Sequence, residues 1–387
     1  MKRFPVFDSL RGLCALALIV HHTHIERSFS QLPVFRNASY LVGLFFAISG
    51  FVLYRHYMNR LSTPRQLRDF AIAHTCRIYP LHVLMLLVFI GFECVKFMLE
   101  RNGLLLNGPA FSGDRAPREI LPNLLLIQAW WPGFNALSFN YPAWIVSVQF
   151  YLALLFALIT FAMPSLARMA VTLLAIAACA MLFTQSPLLT PNVQWGAAAF
   201  FAGAMTYRLY VRLHALAPGP VVGSVLEIVI VGVIYALMVD GEPPQTLNLA
   251  LLFCVAMLIF SFEAGIVSRL LQLKVLSRLG RLWFSIYMTH AAVIFVIGTA
   301  LQVIAKHTGV ALFNDLPGQN AGSVVRYVST GTAINDNLIM VLILVAVVVV
   351  SMLTHRYVEQ WGIAFGERWK AGRLGERRRD HDVSRSA

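Results

Sequence analysis

Long runs of apolar residues recur along the whole chain, and polar or Gly- and Pro-containing stretches separate them. An α-helix of about 20 residues crosses a hydrocarbon core of about 30 Å, and each run has roughly this length. Backbone groups in lipid must be paired within a helix or a closed barrel, and these runs lack the alternation of a barrel strand. The pattern predicts an all-α, polytopic membrane bundle with about ten spans, at 9–25, 39–55, 78–99, 142–163, 166–185, 194–212, 221–239, 246–266, 282–304 and 337–357.

One further apolar stretch, EILPNLLLIQAWW at 119–131, is shorter than the others and contains Pro122. We expect this segment to lie at the membrane surface or to re-enter the membrane without crossing it. The loops 100–141 and 305–336 are too short for separate domains of typical size. A single membrane domain at 1–360 is therefore expected, followed by a basic cytoplasmic tail at 361–387.

The composition supports the membrane assignment. Of the 387 residues, 58% are hydrophobic and 13% are charged, and the mean hydropathy is +0.69. A soluble chain of this size would carry far more charge. The net charge of +13 is concentrated in the segments that face the cytoplasm if both termini are cytoplasmic, as the positive-inside rule requires. This distribution favours contact with membrane lipid and argues against nucleic-acid binding.

The cysteines and histidines do not indicate a metal centre. The five cysteines are scattered without pair spacing, so neither a disulfide framework nor a zinc site is expected. His21, His22 and His24 are clustered, but no carboxylate stands beside them at helical spacing. Asp8 and Arg11 interrupt the first apolar run, so we expect it to be a retained span and not a cleaved secretory signal.

Arg11 and His22 are the most informative polar residues of the first span. They are eleven positions apart, which is close to three helical turns, so both side chains share one helix face about 16 Å apart. Such groups inside a bilayer cost at least a few kcal/mol unless a partner or water receives them. We therefore predict that both are functional, with Arg11 able to pair with Asp8 or with an anion.

Six segments carry a further signal. They are FDSLRGLCALALIVHH (7–22), LFFAISGFVLYR (44–55), RIYPLH (77–82), NYPAWIVSVQFY (140–151), LGRLWFSIYMTH (279–290) and HRYVEQ (355–360). In this order along the chain, and covering most of the predicted spans, they resemble the motifs of the acyltransferase 3 family of integral membrane O-acyltransferases.

The resemblance implies transfer of an acyl group, with acetyl the expected one, from cytoplasmic acyl-CoA to a hydroxyl of a cell-surface polysaccharide or lipid-linked glycan. It also implies a bacterial inner membrane. A sugar hydroxyl ionises far above neutral pH, so its attack on a thioester needs a base, and imidazole with a pKa of about 6.5 is suitable. His22 is the predicted general base. His290, in the ninth span, is predicted to orient His22 or to contact the acceptor.

Basic residues near the cytoplasmic side are candidates for donor binding. Coenzyme A carries phosphates, which arginine binds through a planar fork of N–H groups. Arg11 and Arg77 are predicted to hold them, and His74 stands where the family has the first residue of an Arg-x-x-Arg pair. Arg55 and Arg68 either bind the donor or only set the topology.

Besides His74, three positions depart from the family pattern. Gln149 stands where Glu is usual, Gly43 where an acidic residue is common, and Trp195 where arginine is frequent. Gln149 is kept as a catalytic candidate, although glutamine cannot take a proton or balance an imidazolium. Slower chemistry, or replacement by a buried carboxylate such as Glu227 or Glu263, would follow.

Two other functions remain open from the sequence. A transporter or flippase for a glycan or lipid would use mid-membrane polar residues to line a conduit, although no internal repeat supports it. A catalytically degenerate family member that serves as a binding subunit would explain the departures. A covalent intermediate and direct transfer are both compatible with the residues, and no oligomeric state is indicated.

Overall fold

Each of the ten predicted spans coincides with a helix. The computed structural model describes residues 4–103, 108–240, 246–317 and 324–383, with side chains described up to 371. Its α-helices, in chain order, are α1 Pro5–His21, α2 Pro33–Arg36, α3 Val42–Tyr57, α4 Pro64–Arg101, α5 Ile120–Leu124, α6 Ala143–Ala162, α7 Ala167–Thr184, α8 Pro191–Leu213, α9 Pro220–Asp240, α10 Leu247–Phe262, α11 Ile266–Leu271, α12 Lys274–Arg281, α13 Trp283–Thr308, α14 Ala333–Thr354 and α15 Gln360–Val383.

Seven helical stretches of the described chain are long and apolar enough to cross a membrane. The three other predicted spans are α1 with 17 residues, α8 with 23 and α10 with 16. The chain is thus a multi-pass, predominantly helical membrane protein, while the number of ten crossings and the cytoplasmic termini stay predictions. The seven stretches are Ala38–Tyr57, Pro64–Arg101, Ala143–Ala162, Ala167–Thr184, Pro220–Asp240, Trp283–Thr308 and Ala333–Ala371.

Threonine side chains mark the beginnings of several long helices. The hydroxyl of Thr63 accepts the N–H of Gln66, and the Gln66 side chain returns to the Thr63 N–H, which completes a capping box. Pro64 follows at the first helical position, where its missing N–H costs nothing. The helix α4 therefore begins 14 residues before the predicted span at 78–99 and has 38 residues in total.

The first helix packs closely against α12. A Cβ added at Gly12 would lie 2.8 Å from the backbone nitrogen of Gly280, so the two backbones meet without side chains between them. The Ser9 hydroxyl donates to the carbonyl of Leu271 at 2.6 Å and ties α1 to α11 as well. These contacts hold the helix that carries Arg11 in a fixed position.

A two-stranded antiparallel sheet lies between α13 and α14, outside the all-α pattern that the sequence predicted. It consists of β1 Phe313–Pro317 and β2 Val324–Val328, with Phe313 paired to Val328 and Asp315 to Arg326. The N–H of Val328 donates to the carbonyl of His24 at 2.9 Å, and the N–H of Glu26 donates to the carbonyl of Val328 at 3.0 Å. The hairpin is thereby fixed to the segment that follows α1.

The helix α15 begins where the sequence placed the boundary between membrane domain and tail. A π-helical turn at His355–Glu359 connects it to α14. A Cβ at Gly366 would lie 2.9 Å from the Cβ of Cys76, so α15 packs against α4. The first turns of the predicted tail 361–387 are therefore part of the bundle, and the tail side chains after 371 lie outside the described part.

The segment 119–131 contains only the five-residue helix α5, which is too short to cross a bilayer. Its Asn123 is buried and donates to the hydroxyl of Ser138 at 2.6 Å, while the carbonyl of Asn123 accepts from the ring of His82. The segment is thus fixed by polar contacts to α4 and to the loop before α6.

Candidate active site

Arg11 and His22, which the sequence places on one helix face, line two different cavities. Arg11 lines a cavity of about 320 Å³, and His22, the residue directly after the last turn of α1, lines another of about 590 Å³. We name these the Arg11 cavity and the His22 cavity. One rigid helix therefore presents a permanent cation to one chamber and an imidazole to the other.

The Arg11 cavity gathers residues from α1, α3, α4, α6 and α13. Its apolar lining includes Trp283 and Phe70. Every arginine in its lining is a predicted donor-binding residue. The polar lining residues are Arg11, Ser49, His56, His74, Arg77 and Gln149.

The guanidinium of Arg11 directly contacts a hydroxyl and an aromatic ring. One nitrogen, Nη2, donates to the hydroxyl of Ser49 at 3.3 Å, and the group lies over the ring of Trp283 at 5.3 Å from its centroid. The Nε atom is buried and has no hydrogen-bond partner among the described residues. The charge of the Asp8 carboxylate, three residues earlier on α1, acts favourably on this cation, and Arg77 acts on it with a like charge. An anionic ligand in this cavity would be attracted by both guanidinium groups.

The predicted donor-binding residues divide into two groups. Arg77 and His74 lie in the Arg11 cavity, where the His74 ring stacks on Phe150 at 5.2 Å. Arg55 lies over the ring of Phe4 at 4.7 Å, and Arg68 is exposed and donates to Asp69 at 3.4 Å. Neither Arg55 nor Arg68 is among the residues that line the cavity.

His22, at the end of α1, and His290, in α13, lie next to each other. Their ring centroids are 5.2 Å apart. The Nδ1 atom of His22 lies 2.8 Å from the carbonyl of Leu18, and that of His290 lies 2.7 Å from the carbonyl of Tyr287. A carbonyl can only accept, so both Nδ1 atoms carry the proton in the neutral rings, and both Nε2 atoms keep a lone pair. The Nε2 of His290 is buried without a partner in the described structure.

Two residues of the NYPAW segment complete this cluster and were not singled out from the sequence. The ring of Tyr141 lies 4.7 Å from that of His22 and 5.6 Å from that of His290. The Asn140 amide donates to the carbonyl of Met288 at 3.1 Å, and its oxygen is buried without a partner among the described residues. Their position in a motif segment just before α6 was the available signal.

Gln149 does not belong to the His22 cluster. It lies two turns into α6, and it lines the Arg11 cavity. Any effect of this side chain on a proton at His22 would have to act from one cavity to the other. The site of Gln149 is instead shared with Arg11 and His74.

A row of aromatic rings lies between the two groups of polar residues. Trp283, under the guanidinium of Arg11, is 5.4 Å from the ring of Phe45, and Phe45 is 5.9 Å from that of Tyr287. Tyr287 in turn lies 5.6 Å from the ring of His290. A row of contacting aromatic side chains thus runs from the Arg11 cavity to the histidines.

Glu227 has a structural role. Its buried carboxylate accepts the N–H of Gly265 at 3.0 Å, the N–H of Ser268 at 2.9 Å and the hydroxyl of Ser268 at 2.5 Å. These donors lie at the beginning of α11, which the carboxylate caps. Glu227 and Glu263 are not among the residues that line either cavity.

Parts of this chain are similar to known proteins. A protein named Acyltransferase MdmB, from Streptomyces mycarofaciens, is 31% identical over 165 residues, which are 40% of this chain and 39% of that protein. A protein named Protein 2 in picA locus, from Rhizobium radiobacter, is 37% identical over 100 residues, which are 25% of this chain and 50% of that protein. The chain thus matches half or less of the length of these curated relatives, and no solved structure matches it.

The family comparison extends over almost the whole chain. The model of the acyltransferase 3 family, described as an acyltransferase domain, matches residues 4–356. This range contains both cavities, both histidines and every donor-binding candidate, and it confirms the resemblance that the motifs indicated. The chain therefore belongs to the acyltransferase 3 family.

Proposed function

We propose that this protein is an O-acyltransferase of a bacterial inner membrane, with ten crossings and both termini in the cytoplasm. It transfers an acyl group, acetyl in our proposal, from cytoplasmic acyl-CoA to a hydroxyl of a cell-surface polysaccharide or sugar lipid. The observation that carries the proposal is the state of His22. Its Nδ1 is bound to the carbonyl of Leu18, so the Nε2 lone pair is available in a ring that lines a cavity.

The chemistry requires a neutral base at the acceptor. The hydroxyl gives its proton to Nε2 of His22 while its oxygen bonds to the carbonyl carbon of the thioester. The bond between carbon and sulfur then breaks, and the thiolate leaves and takes up the proton, so that the products are the ester and free coenzyme A. General-base assistance of this kind contributes about 10²–10⁴ in rate.

The second imidazole supports this step. The ring of His290 is close enough to His22 to share the transferred proton through the acceptor or a water molecule, and its Nε2 has no other partner in the described structure. The hydroxyl of Tyr141 is a further polar group that the acceptor would meet beside both rings.

The Arg11 cavity suits the phosphate end of the donor. Arg11 and Arg77 supply two guanidinium groups in one chamber, and Arg11 lacks a carboxylate among the hydrogen-bond partners that the structure gives it. Phosphate oxygens accept two parallel N–H bonds from such a group. The thioester lies at the far end of an unbranched arm, which would reach His22 along the row formed by Trp283, Phe45 and Tyr287.

Substitution of His22 tests the proposal. Purified protein in liposomes receives radiolabelled acetyl-CoA and a membrane extract, and both thiol release and labelled ester are measured. We expect His22→Gln to lower both rates by about 10²–10⁴. His82→Gln is the matched control, because His82 is buried, bonds to the carbonyl of Asn123 and lines neither cavity. Near-normal transfer by His22→Gln in folded protein would refute the proposed site.

A further inference from the structure

The face of the β-hairpin that looks into the His22 cavity carries an ordered set of side chains. Successive residues of a strand point to opposite sides. Phe313 and Asp315 of β1, together with Val324, Arg326 and Val328 of β2, line the cavity, and they follow this alternation on both strands. The hairpin therefore forms one wall of the chamber that contains His22.

The two charged residues of this wall, Asp315 and Arg326, form an ion pair that has no net charge. Arg326 donates from Nε to Oδ1 of Asp315 at 2.9 Å and from Nη2 to Oδ2 at 3.2 Å. The hydrogen bond from Arg326 lowers the pKa of Asp315 below its usual range, so the carboxylate stays ionised at neutral pH. The bidentate contact uses only part of the guanidinium donors and of the carboxylate lone pairs. The remaining N–H groups and lone pairs can bind a ligand that both donates and accepts hydrogen bonds.

The position of the pair relative to His22 is fixed. The backbone bonds between Val328, His24 and Glu26 tie β2 to the chain just after His22. The side chain of Asn314 donates to Glu26 at 2.7 Å from the opposite face of β1. The wall of the cavity and the imidazole are therefore parts of one connected unit.

The opposite wall of the cavity is apolar. Helices α13 and α14 contribute Ile294, Ile297, Leu301 and Ile343, and Gln302 is a further polar residue in the lining. A ligand that fits both walls has a group rich in hydroxyls and an apolar part. Because the ion pair is internally balanced, the hydroxyl-rich group is neutral, since an anion would have to compete with Asp315 for Arg326.

We propose that Asp315 and Arg326 recognise the hydroxyl groups of a neutral glycoside that carries an apolar aglycone, and that they set the acceptor specificity of this protein. This inference rests on the proposed function, because it places the acceptor hydroxyl beside His22. Phe313 offers a ring to an apolar face of the sugar, and the aliphatic wall receives the aglycone.

The test measures binding without any acyl donor. A photoreactive octyl glucoside is cross-linked to the purified protein, its attachment site is mapped, and the labelling is competed with unlabelled octyl glucoside or with octyl phosphate. We expect labelling of the hairpin, and about tenfold weaker competition by octyl glucoside in Asp315→Asn and Arg326→Gln. Val325→Thr, on the opposite face of β2, is the control and should bind like the wild type.

A double variant separates recognition from hairpin stability. Asp315→Arg combined with Arg326→Asp restores a cross-strand ion pair but exchanges the donor and acceptor positions. We expect this protein to keep its fold and to bind octyl glucoside as weakly as the single variants. Restored binding would show that the ion pair only stabilises the hairpin. Stronger competition by octyl phosphate than by octyl glucoside would refute a neutral ligand. Either result overturns the proposal.

The two proposals fail in different ways. Transfer from acetyl-CoA to octyl glucoside is measured on the same samples. Hairpin-dependent binding without transfer would overturn the proposed function and keep the hairpin site. Transfer with binding that is unchanged in Asp315→Asn and Arg326→Gln would overturn the hairpin site and keep the proposed function.

Discussion

The rings of His22 and His290 lie 5.2 Å apart, and each ring directs its Nδ1 to a carbonyl of its own helix. Two imidazoles at this distance cannot both become charged without mutual repulsion. We therefore expect the pair to accept one additional proton at a time, beyond the two that its Nδ1 atoms carry. That property suits a site that takes a proton from a hydroxyl and returns it within one catalytic cycle.

The first prediction concerns His290. We expect His290→Gln to lower kcat by about 10–10² and to reduce the further loss caused by His22→Gln, because the two rings act as one unit. Initial rates of the single and double variants measure this coupling. His82→Gln is the control: His82 is equally buried and bonds to the carbonyl of Asn123, away from both cavities. Strictly additive losses would contradict a shared role.

The second prediction concerns the phosphate end of the donor. Arg11→Lys keeps the charge but removes the planar fork, so we expect the KM for acetyl-CoA to rise about tenfold with a smaller change in kcat. The same substitution at Arg68, which is exposed and paired with Asp69, should leave KM unchanged. An unchanged KM in Arg11→Lys would contradict a role for the planar fork of Arg11 in binding the donor.

Part of this site could be predicted from the sequence because it lies on single helices. The spacing of Arg11 and His22 depends only on the helical repeat, and all ten apolar runs fold as helices. The meeting of His22 with Tyr141 and His290 depends on the packing of α1, α6 and α13. Helical periodicity contains no information about which helices become neighbours, so Tyr141 was missed.

The hairpin was missed for a different reason. Each strand has only five residues, so the alternation of its side chains extends over five positions. A search for apolar runs of helix length does not detect so short a pattern. The pattern Phe-x-Asp in β1 and Val-x-Arg-x-Val in β2 was nevertheless present in the sequence. The sequence also did not show which of the basic residues share a cavity. Only the fold shows that Arg77 lines the Arg11 cavity while Arg55 contacts Phe4.

The third prediction concerns Glu227 as a structural residue. Its carboxylate accepts three hydrogen bonds at the start of α11, and Glu227→Gln replaces one oxygen by a donor that faces other donors. We expect the variant to lose about 2–3 kcal/mol of stability and to show a lower thermal midpoint in detergent. The rate per folded molecule should stay unchanged. The exposed Glu367→Gln is the control, and a selective loss of rate without a loss of stability would assign Glu227 to the chemistry.

The fourth prediction separates two interpretations of Gln149. If this position lacked a carboxylate that assists the catalytic imidazole, Gln149→Glu would raise turnover. The structure places the side chain in the Arg11 cavity instead, together with Arg77. A carboxylate there would pair with a guanidinium and compete with the phosphates of the donor.

We therefore expect Gln149→Glu to raise the KM for acetyl-CoA about tenfold without increasing kcat. Gln149→Met fills a similar volume without charge and should change KM by less than about threefold, since no charged hydrogen bond is added or removed. Raising the salt concentration should not rescue the Glu variant, because the new ion pair would be enclosed in the cavity and only weakly screened. A gain in kcat at unchanged KM would instead connect position 149 to the proton transfer at His22.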